Sequence, residues 1–215
     1  MLNRRLVLIA SAGLAAAGPA LAAAPASTGP KPMPDDMSLG DPKAKIEMLE
    51  YASLSCPHCG HFNETIFPAL KAKYIDTGKV RYTLKEMLTE PVTVAVAGFL
   101  IARCAGPDKY FTVVDQVFRS QSRWTQGDIK PIFQEIAAAN GVDEAHFTAC
   151  LQDKAAADAV GKRAQRAETQ DGVDSTPTLF INGQKVETPQ TVEALDTLMA
   201  KYLKAPKAKT TKGGR

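Results

Sequence analysis

Two cysteines separated by two residues lie between a predicted strand and a predicted helix. The motif is Cys56-Pro57-His58-Cys59, preceded by the strand-like run 46–52 and continued by a helix-like run that begins at Pro57. A strand, a Cys-x-x-Cys pair and a helix in this order are typical of a dithiol redox site. The order also restricts the fold, because the strand must deliver the first cysteine to the start of a helix.

The start of a helix favours the thiolate, which is the reactive form of cysteine. The first backbone N–H groups of a helix lack partners, and the helix dipole is positive there. Pro57 suits the first helical position, because its missing N–H is not needed. His58, when protonated, adds a positive charge beside Cys56. Cys59 lies one helical turn further in, where it can close a disulfide with Cys56 or resolve a mixed disulfide.

The same two cysteines also fit a structural interpretation. They form either an inert disulfide or half of a zinc site completed by His58 or His61. A zinc site usually has a second pair of ligands at similar spacing, whereas the remaining cysteines, Cys104 and Cys150, are isolated. A redox dithiol is therefore favoured, and no metal site is predicted.

The first 22 residues have the features of a secretory signal peptide. Arg4 and Arg5 precede a short apolar run, and a small-x-small cleavage site ends at Ala22, with cleavage after Ala24 or retention as an uncleaved anchor as the alternatives. The arginine pair also resembles a twin-arginine signal, so two export routes stay open. Residues 23–40 are rich in Ala, Pro and Ser and predict an extended lead-in.

The charge distribution argues against a nucleic-acid-binding domain. The last segment, 204–215, holds five Lys and Arg residues without Asp or Glu, and predicts a disordered, solvated tail. Loss of the signal peptide lowers the formal charge from +3 to +1, and the body without this tail is near −4. A basic surface for nucleic acid is therefore not indicated.

The segment around the motif predicts a strand–helix–strand unit. Residues 57–77 carry an apolar residue at every fourth position, and Pro68 is expected to kink this helix. Strand alternation resumes at 80–86, so this strand and the strand before the motif should be parallel. The long stretch 91–171 shows no clear strand and predicts four or five helices. Asn182-Gly183 then predicts a tight hairpin, and a final helix is predicted to start at Thr188-Pro189.

Glu50 and the isolated cysteines add two further hypotheses. A strand that feeds a helix is usually central, so Glu50 is predicted to be a buried carboxylate near the dithiol; an edge position reaching solvent is the alternative. A buried carboxylate has a raised pKa and can exchange protons during thiol chemistry. In an exported protein Cys104 and Cys150 most simply form a structural disulfide, with two buried free thiols as the alternative.

The motif at 56–59, the Ser-Thr-Pro-Thr segment at 175–178 and the closing hairpin and helix together resemble the DsbA family of bacterial thiol:disulfide oxidoreductases. The resemblance implies an α/β, thioredoxin-like fold over residues 41–203. It also implies that the helical block at about 91–171 is an insertion into that fold.

The resemblance assigns a role to each matching residue. It implies that Cys56 is the exposed nucleophile, Cys59 its buried partner, and His58 the residue that tunes the thiolate. Glu50 matches the buried acid on the first central strand. Pro177 matches a proline with a cis peptide bond beside the disulfide.

The residue before Pro177 departs from the best-known members of the family. Those members carry Val there, whereas this chain has Thr176, which also resembles reductase and isomerase relatives. The cis bond would let the Thr176 backbone face a bound peptide, so Thr176 and Pro177 are expected to bind substrate.

The function implied is that of an exported oxidase without a bound cofactor. Its substrates would be unfolded or partly folded exported proteins that contain cysteine. A membrane quinone-linked partner of the DsbB type would reoxidise it. Two alternatives stay open: a disulfide reductase or isomerase working in the opposite direction, and a metal chaperone that uses the cysteines and histidines of the motif.

Overall fold

The computed structural model describes residues 29–124 and 127–204. One sheet contains the strands β1 (Met37–Leu39), β2 (Ile46–Ala52), β3 (Val80–Glu86), β4 (Thr178–Ile181) and β5 (Gln184–Val186). The order across the sheet is β1-β3-β2-β4-β5. β2 and β3 are parallel, as predicted, and the other neighbours are antiparallel. β2, which leads into the cysteine motif, is therefore the central strand.

The helices surround this sheet and fill the long connection between β3 and β4. In chain order they are α1 (Pro57–Thr65), α2 (Phe67–Leu70), α3 (Val92–Cys104), α4 (Pro107–Arg119), α5 (Gln121–Trp124), α6 (Ile129–Ala139), α7 (Glu144–Gln152), α8 (Lys154–Thr169) and α9 (Val192–Lys204). The predicted α/β architecture with an inserted helical block, here α3 to α8, is confirmed. Among the described residues, no helix has the length and apolar character required to cross a bilayer.

The single helix predicted over 57–77 is wrong in its continuity. α1 ends before Ile66, α2 begins at Phe67, and a π-helical turn follows at Lys71–Ile75. Pro68 lies in the first turn of α2, where its missing N–H needs no partner. The proline therefore starts a new helix and does not kink a continuous one.

Two other boundaries differ from the prediction. The extended lead-in 23–40 contains β1, which pairs antiparallel with β3, and three residues are too few to show strand alternation. The final helix begins at Val192, because the Thr191 hydroxyl accepts the Ala194 N–H at 3.1 Å and caps it. The predicted signal peptide and the tail beyond residue 204 lie outside the described residues.

Both faces of the sheet are covered, because successive side chains of β2 point to opposite faces and apolar residues occur on each of them. Met48 and Ala52 point into the larger core, which also contains Phe62 of α1 and residues of the insertion. Leu49 and Tyr51 point to a smaller cluster on the opposite face. A central strand covered on both faces can carry only groups that are apolar or internally paired.

A disulfide joins Cys104 at the end of α3 to Cys150 in α7, with the two Cα atoms 6.3 Å apart. The bond closes a loop with a sequence separation of 46 within the insertion. It therefore ties together two helices that are also in contact.

Loss of this disulfide is expected to lower stability while leaving the motif intact. The chain-entropy model gives about 4 kcal/mol for a loop of this length, and measured effects of disulfides are typically about 2 to 4 kcal/mol. We expect Cys104→Ala/Cys150→Ala to lower the free energy of unfolding in urea by about that amount. An unchanged unfolding midpoint would show that helix packing alone holds the insertion together.

Candidate active site

Cys56 occupies the N-cap of α1, immediately after a tight turn that leaves β2. Its backbone N–H donates to the Ser53 carbonyl at 3.0 Å, which closes the turn. Pro57 is the first residue of the helix, as predicted. The sequence therefore places the Cys56 sulfur at the positive end of a helix, beside N–H groups that lack helical partners.

The Cys56 thiol is acidic in this position. A hydrogen bond from the Cys59 thiol is the largest cause of a pKa lowered to about 5. The Thr176 side chain and the backbone N–H groups of His58 and Cys59 add to this stabilisation of the thiolate, and burial opposes it. The residue is 7% exposed, and that small opening is where a substrate sulfur must arrive.

The Cys59 thiol has the opposite character. Cys59 is fully buried, and burial raises its pKa well above the ordinary value. Its hydrogen bond to Cys56 and the nearby charge of Glu50 raise the pKa further. One sulfur of the pair is therefore a thiolate at neutral pH, while the other holds its proton.

Pro177 faces the motif from the loop before β4. The Thr176–Pro177 peptide bond is cis, as the family resemblance implied. The Cys56 sulfur lies 3.5 Å from the Thr176 carbonyl oxygen, to which the thiol can donate when it is protonated. β4 pairs directly with β2, so the sheet brings this loop to the end of β2 where the motif begins. A second cis bond, Glu90–Pro91, was not anticipated from the sequence.

Glu50 is a buried carboxylate on the central strand, 2% exposed. The Tyr82 hydroxyl donates to its Oε2 atom at 2.7 Å. Burial raises the pKa of Glu50 to about 7, although the hydrogen bond from Tyr82 works in the opposite direction. The carboxyl can therefore hold or release a proton near neutral pH, and its charge acts on the pKa of Cys59.

The raised pKa of Glu50 has a consequence for stability. The folded protein keeps the proton up to a pH of about 7, whereas an ordinary glutamate loses it near 4.5. Because the folded state binds more protons in this window, stability falls as the pH rises through it. At about 1.4 kcal/mol per pKa unit, the total fall is about 3 kcal/mol.

Glu50→Gln is expected to remove this fall. Urea unfolding at several pH values between 4 and 8, with the 56–59 disulfide formed so that Cys56 does not titrate, measures it. In that form the fall should be smaller than in the dithiol protein, because the Cys56 thiolate no longer raises the pKa of Glu50. Tyr82→Phe should extend the fall to higher pH and make it larger, because it deletes the hydrogen bond that favours the carboxylate in the folded state. The same pH dependence in wild type and Glu50→Gln would contradict the assignment.

A shallow cavity of about 220 Å³ lies between α1 and the cis-proline loop. Its walls include the exposed His58 and His61, the buried Phe62, and Thr176 with Pro177. Within the described ranges, no group of three or more His, Cys, Asp or Glu side chains is placed to hold a metal ion. The cavity is thus bounded by three of the residues that the sequence assigned to catalysis and substrate binding, which are His58, Thr176 and Pro177.

Tyr82 was missed by the sequence analysis. Strand alternation placed it on one face of β3, but nothing local predicts the register that sets it diagonally beside Glu50. In that register Met48 is opposite Tyr82, and Glu50 is opposite Leu84. A tyrosine two positions from a buried acid on a neighbouring strand is a signal only once the pairing is known.

A dithiol at the start of a helix that follows the central strand, facing a cis proline in the loop before the neighbouring strand, is the arrangement of a thioredoxin-fold dithiol protein. The family model described as thioredoxin matches residues 33–201. The crystal structure of alpha-DsbA1 from Wolbachia pipientis superposes with a TM-score of 0.73 at 31% identity, covering 80% of this chain and 94% of that one. The chain belongs to the thioredoxin family, in its DsbA group.

Two further proteins are similar to this chain. A Rickettsia conorii protein, named as a candidate protein-disulfide oxidoreductase, is 31% identical over 179 residues. The match covers 81% of this chain and 63% of that protein, so the chain spans less than two thirds of its length. BdbD from Bacillus subtilis shares the fold, with a TM-score of 0.72 at 19% identity over 83% of this chain and 99% of that one.

Proposed function

We propose that this protein is an exported thiol:disulfide oxidoreductase that introduces disulfide bonds into other proteins. The observation that carries the proposal is the asymmetry of the two sulfurs. Cys56 is acidic and partly accessible, whereas Cys59 is buried with a raised pKa. A thiolate that is stabilised in the reduced protein makes the corresponding disulfide a stronger oxidant.

The reaction begins with the Cys56–Cys59 disulfide. A substrate thiolate attacks the Cys56 sulfur, the bond to Cys59 breaks, and Cys59 leaves with the electron pair. Because Cys59 is buried, it takes up a proton, and we assign its supply to Glu50, whose pKa is raised to about 7 and whose charge acts on the pKa of Cys59. The product of this step is a mixed disulfide between the substrate and Cys56.

A second substrate thiolate then attacks the substrate sulfur of the mixed disulfide. The Cys56 thiolate leaves, and it leaves readily because its pKa is low. Two substrate thiols have lost two electrons and two protons. The protein now holds the electrons as a Cys56 thiolate and a Cys59 thiol, and Glu50 has given up the proton that Cys59 gained.

The direction of electron flow separates the oxidase from its alternative, a disulfide reductase or isomerase. Both use the same two steps, but they differ in the potential of the Cys56–Cys59 couple. Equilibration with glutathione measures that potential, and absorbance of the thiolate against pH measures the Cys56 titration. We expect a midpoint near pH 5 and a potential clearly above the value of about −270 mV typical of thioredoxin. A potential as low as thioredoxin's would contradict the oxidase.

Substrates, partner and location belong to the same proposal. Substrates would be unfolded exported proteins that contain cysteine, bound along the cavity beside Pro177. A quinone-linked membrane protein of the DsbB type would reoxidise the dithiol in the periplasm.

The proposal that the protein is exported rests on residues 1–22. Cell fractionation tests it, and Arg4→Lys/Arg5→Lys distinguishes the routes, because only twin-arginine export should fail with this change.

A further inference from the structure

Gln121 connects the helical insertion to the turn that carries Cys56. It is the first residue of α5 and is half-buried. Its side-chain Nε2 donates to the Leu54 carbonyl at 3.0 Å and to the Cys56 carbonyl at 3.1 Å. Both N–H bonds of one amide are therefore directed at the active-site turn.

The first turn of α1 is shaped to receive this amide. A Cβ atom on Gly60 would lie 2.6 Å from Oε1 of Gln121, closer than real Cβ contacts allow. Gly60 also donates its backbone N–H to the Cys56 carbonyl at 3.1 Å, so this carbonyl accepts two hydrogen bonds. Asn63 donates to Asp115 of α4 at 2.8 Å, which fixes α1 against the helix that precedes Gln121.

We propose that Gln121 is a positioning residue for Cys56, which holds the active-site turn so that its N–H groups point at the sulfur. This inference rests on the proposed function. The Cys56 carbonyl belongs to the peptide unit at the start of α1, and the N–H groups of His58 and Cys59 follow within the same turn. Fixing that carbonyl from outside the helix restricts the rotation of these peptide units. The thiolate then accepts hydrogen bonds from donors that are already oriented, so no free energy is spent on reorienting them when the charge forms.

Two variants remove the contact by different means. Gln121→Met keeps the length and shape of the side chain but has no amide to donate. Gly60→Ala keeps Gln121 but pushes its flexible amide away from the turn. Gln116→Met is the matched control, because Gln116 is another glutamine of the insertion whose Oε1 accepts from Asn140 at 2.6 Å, away from the motif.

The readouts are the pH titration of the Cys56 thiolate and the equilibrium constant with glutathione, neither of which follows from stability alone. We expect both active-site variants to move the midpoint to higher pH. They should also make the dithiol/disulfide couple about 3- to 10-fold less oxidising, the effect of losing one or two hydrogen bonds. Gln116→Met should match wild type in both measurements.

Wild-type values in Gln121→Met and Gly60→Ala would overturn the inference while leaving the proposed function in place. An equal change in Gln116→Met would also overturn it, since any loosening of the insertion would then suffice. A wild-type midpoint close to that of an ordinary thiol would contradict the proposed function itself, and the positioning role with it.

Discussion

Replacing Cys56 by alanine is expected to abolish thiol–disulfide exchange completely. The remaining sulfur of the motif, Cys59, is fully buried and holds its proton, so it offers no accessible thiolate. Replacing Cys59 should have a different result. The Cys56 thiolate can then still attack a disulfide of a substrate and form a mixed disulfide, while the other substrate sulfur leaves as a thiolate, but Cys59 is no longer present to release the substrate by attacking Cys56. Cys59→Ala should therefore accumulate covalent complexes.

Non-reducing gels and mass spectrometry of protein recovered from cells distinguish these outcomes. Cys56→Ala should yield no covalent complexes, and Cys59→Ala should yield complexes that a reductant dissolves. Cys104→Ala/Cys150→Ala is the control, because it removes the other two cysteines while leaving Cys56 and Cys59 in place. Exchange activity that persists in Cys56→Ala, or complexes attached through Cys59, would show that Cys56 is not the nucleophile.

The parts of this site that the sequence predicts are local. Cys56 at the helix start, Pro57 as its first residue and the bounds of β3 follow from signals within a few residues. The hairpin also follows, because Asn182 and Gly183 both take positive φ angles, 49° and 76°, as the tight turn requires. The buried position of Glu50 followed from the single inference that β2 is central.

The parts that the sequence does not predict depend on distant segments. Tyr82 reaches Glu50 only through the register of two strands, and Gln121 reaches the Cys56 carbonyl across 65 residues. β1 is too short to show a pattern and exists as a strand because β3 offers it an edge. Local propensity carries no information about such pairings, which the packing of the whole insertion decides.

The contacts of Glu86 also depend on distant segments and were not predicted, because the sequence placed this residue only at the end of a strand. Its carboxylate is 1% exposed and accepts from Arg103 Nε at 2.7 Å and from Arg163 Nε at 2.6 Å. The Tyr110 hydroxyl donates to it at 2.9 Å. These partners come from α3, α8 and α4, so one carboxylate joins three helices of the insertion to the sheet.

Glu86→Gln is expected to lower the free energy of unfolding by about 3 to 5 kcal/mol, the range for breaking a buried ion pair from one side. The amide has nearly the same shape, but it has no charge, and its NH₂ group would face a guanidinium donor. Glu135→Gln is the matched control. Glu135 also meets an arginine, Arg123, at 2.7 Å, but the two side chains are 63% and 52% exposed. Its loss should leave the unfolding midpoint within error, because solvent screens an exposed pair.

A third variant separates the cost of unpaired charges from the net value of the cluster. In Glu86→Leu/Arg103→Met/Arg163→Met the three paired charges are removed together, and apolar replacements of buried ion pairs are often neutral. The costs that remain are the Tyr110 hydroxyl, which loses its acceptor, and the exposed Asp35, which loses Arg163 as its partner. We expect this variant to recover most of the stability lost in Glu86→Gln. Urea unfolding with unchanged m values makes the three comparable. If the triple variant is as unstable as Glu86→Gln, the ion pairs themselves hold the insertion on the sheet. If Glu86→Gln matches Glu135→Gln, the cluster contributes no net stability.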